Sequence, residues 1–137
     1  MDRTEALRRL GASQVGRLAT VRPDGSPHVV PITFALVNSD VVTMVDHKPK
    51  TTTDLQRLTN VEANGCAALL VDHYADEWSE LWWVRIEGTA NVHRDGPTWR
   101  VGGDALEKKY RQYREKRPTG PAITISIDKI TYWASTP

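Results

Sequence analysis

The sequence predicts a mainly β fold: a small antiparallel barrel, closed or nearly closed, with helices at its mouth. Three observations carry this. About six stretches alternate apolar and polar residues with period two or run apolar over strand length. Most connections between them are of hairpin length and rich in Pro, Asp, Gly, Asn and Ser. Helical spacing is confined to a short N-terminal segment, a short one between the third and fourth strands, and a longer one before the last strand. With 137 residues, the chain is long enough for a real core and reads as one domain over 1–137. A barrel of this size fills its interior with side chains, so a large ligand belongs in an outer groove or at a subunit contact.

Residues 2 to 10 read as a short helix, with Asp2 or Thr4 as cap, Ala6, Leu7 and Leu10 on one side, and Gly11 placed to end it. Val15 to Val21 forms the first strand, Pro23-Asp24-Gly25-Ser26 the turn, and His28 to Leu36 the second strand. Pro31 cannot donate to a ladder, so the second strand sits at an edge or splits there. Val41 to Asp46 is the third strand. A helix from about Thr52 to Thr59 follows, then a loop at Asn60 and Asn64-Gly65, and the apolar run Cys66 to Asp72. Tyr74 to Glu80 is an acidic loop or hairpin. In the long strand Leu81 to Val92, Trp82, Val84 and Ile86 share one face and Trp83, Arg85, Glu87 and Thr89 the other. A helix from about Thr98 to Glu115 carries Trp99, Leu106, Tyr110 and Tyr113 as its stripe and is weakened at Gly102-Gly103. Ile123, Ile125 and Ile127 open the last strand, which runs on toward Tyr132 and Trp133.

The chemistry concentrates where the third strand gives way to helix. Lys48, Lys50, the hydroxyls of Thr51, Thr52 and Thr53, and the unpaired N–H groups of a starting helix all favour an anion, and a phosphate suits them well. The same residues also suit a solvated turn with a threonine N-cap. No Gly-rich phosphate loop accompanies them, no Gly-x-Ser-x-Gly elbow is present, and the four histidines lack metal-ligand spacing, so no metal is expected.

Eighteen Lys and Arg against seventeen Asp and Glu leave a charge of +1, which argues against a nucleic-acid surface. A lone cysteine, Cys66, points to a reducing cytoplasm. Neither a membrane span nor a signal-peptide core is evident.

The run Gly16 to Ile32, with its Arg22-Pro-Asp-Gly-Ser-Pro27 turn, resembles the opening hairpin of the pyridoxamine 5'-phosphate oxidase-like split β-barrel superfamily. Lys48-Pro-Lys50-Thr51, Leu55-Gln-Arg57-Leu58, Asn60-Val61 and Cys66 to Val71 fall where that superfamily has its phosphate-binding strand end, short helix and next strand. Over residues 10–132 the chain is most similar to a small actinobacterial branch that uses the deazaflavin coenzyme F420. The resemblance implies an antiparallel split barrel of the FMN-binding type, and a homodimer with two cofactor sites at the interface. It also implies hydride transfer to a small organic substrate. Lys48, Lys50 and Thr51 would hold the phosphate. Val30, Pro31, Ile32 and Thr33 would lie along the ring, with Val45, Asp46 and His47 near the ring and ribityl chain. Trp78, Trp82 and Arg85 are the candidates for the contribution of the second subunit.

The alternatives are an FMN-dependent oxidase or reductase of the same fold and a cofactor-binding protein without turnover. A barrel that binds single strands through exposed aromatics is the third, and its charge counts against it. Trp99 and Trp133 are read as core and dimer packing. Because Trp82 and Trp83 point opposite ways, one of them should meet a partner or ligand. Lys108 to Arg117 reads as a solvated basic helix face, suited also to the anionic tail of F420.

Overall fold

The computed structural model describes residues 1–46 and 52–137, with side chains described throughout except for 52–55. Helix α1 (Arg3–Ala12) is capped by Asp2, whose carboxylate accepts from Glu5 N at 2.9 Å. The helix runs through Gly11 rather than stopping there, and it ends at Ser13, whose N–H bonds Leu10 O. The strands are β1 (Gly16–Val21), β2 (Pro27–Ile32), β3 (Ala35–Val37), β4 (Asp40–Met44), β5 (Cys66–His73), β6 (Trp82–His93) and β7 (Ala122–Ala134). Helices α2 (Thr52–Asn64), α3 (Gly96–Lys109) and α4 (Arg111–Glu115) complete the set, with a 3-10 turn at Trp78–Glu80.

All seven strands form one antiparallel sheet in the order β2-β1-β5-β6-β7-β4-β3. The two end strands, β2 and β3, are separated by only Thr33 and Phe34. Three peptide steps reach at most about 11 Å, so the sheet has to curl until its edges nearly meet. Topology alone therefore makes the barrel. The expected strand His28 to Leu36 is thus two strands, and the break falls at Thr33-Phe34, two residues past the proline that signalled it.

The inward faces supply the core: Leu18, Phe34, Val41, Leu69, Val71, Val84, Ile86, Ile123 and Ile125 are almost wholly buried. A second cluster joins α3 and α4 to the other side of β4 through Val42, Met44, Leu106, Tyr110, Tyr113 and Ala122. Strand β4 is therefore buried on both faces, which explains why its sequence is apolar without alternating. On β7 the inward residues change parity. Gly88 pairs with Ile127 but Glu87 pairs with Lys129, so Asp128 is an extra residue, a β-bulge. Beyond it, Ile130 and Tyr132 take over the inward positions.

Two helix expectations need correction. Helix α2 continues past Thr59 to Asn64 because Asn60, expected in a loop, is fully buried and bonds Thr20 and Gln56 through its amide. The long C-terminal helix does come in two pieces, but it breaks at Tyr110 rather than at Gly102-Gly103. At Gly102, inside α3, a Cβ would lie 2.7 Å from Val42 Cγ2, whereas at Gly103 it would meet only the movable end of the Arg117 side chain. Among the described residues, no helix is long and apolar enough to cross a membrane.

Candidate functional site

The gap between β2 and β3 is held by the junction of α3 and α4. Lys109 Nζ donates to Ser13 O (2.6 Å) and Phe34 O (2.9 Å) and stands 4.0 Å from the centre of the Phe34 ring. Tyr110 Oη accepts from Phe34 N at 3.0 Å and lies within donating distance of Gln14 O (2.8 Å) and Phe34 O (3.0 Å). Burial lowers the Lys109 ammonium to about 8. One turn on, Tyr113 Oη lies 2.7 Å from Thr33 Oγ1 and donates to Asp46 Oδ2 at 3.3 Å, while Thr43 Oγ1 donates to Thr33 O at 2.7 Å. Burial raises the Tyr113 phenol, and the Asp46 carboxylate adds to the rise.

This network ties the end of β2 to the residues that follow β4. It brings together two of the expected site residues, Thr33 and Asp46. Val45 is half-buried beside them, its N–H bonded to Pro121 O at 3.0 Å. His47, Lys48, Lys50 and Thr51 lie outside the described residues. On β2, Val30 and Ile32 turn into the core, leaving Pro31 exposed on the outer side. Side-chain contact with a ring along this strand therefore falls to Pro31 and its neighbour Val29, which is 61% exposed.

The outer face of the sheet is ordered by the register. Pro31, Arg17, Leu70, Arg85 and Thr131 form one row across five strands, and Val29, Ala19, Ala68, Glu87 and Lys129 form the next. Arg85 is on this face; Trp82 is on the opposite one, packed against the core, with the Arg9 guanidinium 5.2 Å above its ring. Trp78 is 66% exposed in the 3-10 turn. The structure thus separates the three candidates of the second-subunit set within one protomer. Trp99 is core-facing, its indole N–H bonded to Gly120 O at 2.9 Å. Trp133, expected to pack in a core or dimer contact, is 46% exposed and is the cross-strand partner of Trp83.

Beneath α2 lies a second polar group that the sequence did not reveal: Thr20, Asn60 and His28 are all buried. His28 Nδ1 is shut off from solvent with no hydrogen-bond partner among the described residues. Burial, then the Arg22 and Arg57 charges, hold its imidazole below the ordinary 6.5. The unfolded chain therefore takes up this proton first. The His28 contribution to stability is complete above pH 6.5 and declines as pH falls below it toward the folded-state value. His28→Leu should flatten that acid limb in denaturant midpoints measured from pH 7 downward; an unchanged slope would show that other groups control it.

Tyr110 and Tyr113 were legible as a helix stripe but not as polar clasps, because periodicity reports only which face is buried; Lys109, expected on a solvated basic face, instead turns inward onto Ser13 and Phe34. Among the described residues, no three of His, Cys, Asp and Glu gather as a metal site would require.

A model of the pyridoxamine 5'-phosphate oxidase family matches residues 3–134. The chain is 28% identical over 123 residues to the F420H(2)-dependent biliverdin reductase of Mycobacterium tuberculosis, covering 90% of this chain and 80% of that protein. Among solved structures, an FAD-binding protein from Mesorhizobium loti superposes with a TM-score of 0.73 at 20% identity, over 96% of this chain and 94% of that one. The haem storage protein of Vibrio cholerae also superposes with a TM-score of 0.73, at 13% identity over 98% and 95%. At these identities the two structures establish the fold alone.

Proposed function

Because the chain belongs to the pyridoxamine 5'-phosphate oxidase family, we propose that it is an oxidoreductase that uses coenzyme F420 to reduce a small organic acceptor. The observation that carries this is the 28% identity to a reductase named for F420H(2), spread over 90% of the chain. The geometry is compatible. Strand β2 is an end strand with Pro31 facing outward, and the Tyr113 clasp fixes Asp46 two residues before the first lysine of the phosphate corner.

In this reading Lys48, Lys50 and Thr51 hold the phosphate and His47 lies beside them. The β2 backbone from Val30 to Thr33, with Val45 and Asp46, borders the ring. A second copy across the outer face, whose residues include Ala19 and Ala68, completes each site with Arg85 and the exposed Trp78; Trp82, which packs against the core, falls out of that set. When bound, the deazaflavin supplies a hydride, so the acceptor gains a hydride and a proton while the reduced cofactor loses both. The chain's own task is to orient the two partners and exclude water; no nucleophile is required. A reducing cytoplasm is the proposed setting.

Titration with F420 and with FMN, followed by fluorescence, tests the proposal. F420 should bind more tightly. Lys50→Ala should weaken it by about 10- to 100-fold, the loss of one charged hydrogen bond. Arg94→Ala, whose exposed guanidinium pairs only with Glu62 among the described residues, is the control. Equal loss in both variants would remove the phosphate corner. Tighter FMN binding would favour the FMN-dependent reading, and tight F420 binding without turnover would favour a cofactor-binding protein.

A further inference from the structure

At one end of the outer face, β5, β6 and β7 enclose a cleft of about 320 Å³ lined by Leu70, Asp72, Tyr74, Trp83, Arg85 and Trp133, with Trp82 and His73 at its edge. Of five tryptophans and four tyrosines in the chain, Trp83, Trp133 and Tyr74 line the cleft, while Trp82 borders it from the opposite face of the sheet. Trp83 and Trp133 are direct cross-strand neighbours and both line the cleft. Tyr74, 73% exposed, stands open to solvent at the rim. An aromatic surface of this kind is suited to a flat π-system, since each stacked pair adds about 0.5–1.5 kcal/mol beyond burial alone.

The polar member of the cleft is Arg85. Its guanidinium lies 5.4 Å from the centre of the Trp83 ring, the place a ligand cation would otherwise take. Its Nε is closed to solvent yet has no hydrogen-bond acceptor: Glu87 Oε2 is 3.4 Å away, close enough for ionic attraction but out of line for a hydrogen bond. Asp72, the acid in the cleft, is engaged by Arg17 at 3.8 Å. The Arg85 side chain is 43% exposed although its Nε is covered, so a ligand meets it through the rest of the guanidinium, to which a carboxylate offers the best-matched acceptor.

We propose that this cleft is the acceptor subsite of the enzyme and that it selects a planar, conjugated carboxylic acid, stacked on Trp83 and Trp133 with its carboxylate on Arg85. The identification as acceptor subsite rests on the oxidoreductase reading above; the ligand class rests on the cleft itself. The volume suits a two- or three-ring acid, and a larger conjugated acid would extend past Tyr74 into solvent.

The test uses anthraquinone-2-carboxylate and its methyl ester, titrated into the intact protein and followed by tryptophan quenching. The acid should bind at least about tenfold more tightly than the ester. Arg85→Met should bring the acid down to the level of the ester and leave the ester unchanged. Trp133→Leu should weaken both while keeping the affinity for F420. Tyr74→Ala, at an exposed loop position, should weaken both more mildly and serves if a tryptophan variant does not fold. Equal binding of acid and ester, or variants that bind like the parent, would overturn the proposal. So would a Trp133→Leu protein that turns from dimer to monomer with unchanged probe affinity, since the cleft would then belong to a second copy. Failure of the parent to bind F420, with the acid preference intact, would instead sink the cofactor reading and leave the ligand class standing.

Discussion

Replacing Gly88 by alanine is expected to destabilise the protein by more than about 3 kcal/mol, at the severe end of overpacking changes. A Cβ at this position would lie 1.6 Å from Ser126 O and 2.8 Å from Ser126 C, both backbone atoms of the neighbouring strand. No rotamer relieves that clash. Relief requires β7 to move away from β6 at the Asp128 bulge, where the register shifts. Because β6 and β7 are the two longest strands and hold the middle of the sheet, the disturbance reaches the core residues Ile86, Ile125 and Ile127. Gly25 provides the contrast. It has a φ of +90° in the β1–β2 turn and nothing within 4 Å of an added Cβ, so Gly25→Ala should cost only about 1 kcal/mol of backbone strain. Urea midpoints of the two variants give the comparison, and equal small losses would show that the bulge yields more easily than its geometry implies.

Tyr110→Phe is expected to cost about 1–3 kcal/mol, or roughly 4 °C of melting temperature for each kcal/mol, although the ring itself stays in place. The lost hydroxyl leaves Phe34 N–H, which is buried and points at Tyr110, without its acceptor, and Gln14 O without its donor. Phe34 O keeps Lys109, so the gap between β2 and β3 is loosened rather than opened. Thr33 is the other residue of that gap, and the Tyr113 bridge from Thr33 to Asp46 should relax with it. Hydrogen exchange of Phe34 N–H should accelerate in the variant by the same free energy that is lost from global stability. Unchanged exchange at Phe34 would mean that Lys109 alone holds the gap.

Much of the architecture is legible in the sequence. The alternation in β1, β6 and the first half of β7, the Pro-Asp-Gly-Ser turn and the Asp2 cap are local signals, and each lies where it was expected. The failures share a cause. Asn60 looks like a loop residue and is instead a buried helical amide, because Thr20 and Gln56 happen to meet it from a strand and from the preceding helical turn. The parity change from Ile127 to Ile130 was present in the sequence as a shift from odd to even inward positions, a sign of the bulge that strand patterning does not look for.

The candidate site was legible in part. Asp46 and Thr33 were named from the resemblance, and the structure joins them; nothing in the pattern of the C-terminal helix announced that Tyr113 would do the joining. Trp82 and Trp83 were recognised as unusual on one strand, and Arg85 was named from the resemblance. Their companions Trp133, Tyr74 and Leu70 come from elsewhere in the chain, and only the pairing of β5 and β7 with β6 gathers them.

By itself the sequence determined which residues face inward along most strands, where most of the turns fall, and the family to which the chain is similar. These follow from periodicity, backbone preference and motif, all of which act over a few residues. The tertiary structure decided that the sheet curls on itself at Thr33-Phe34, that a tyrosine and a lysine from late in the chain close the gap, and that Trp83, Trp133 and Tyr74 line one cleft. Those outcomes depend on which strands become neighbours, and hydrogen-bonded pairing between distant segments is a property of the whole packed chain that no short window of sequence contains.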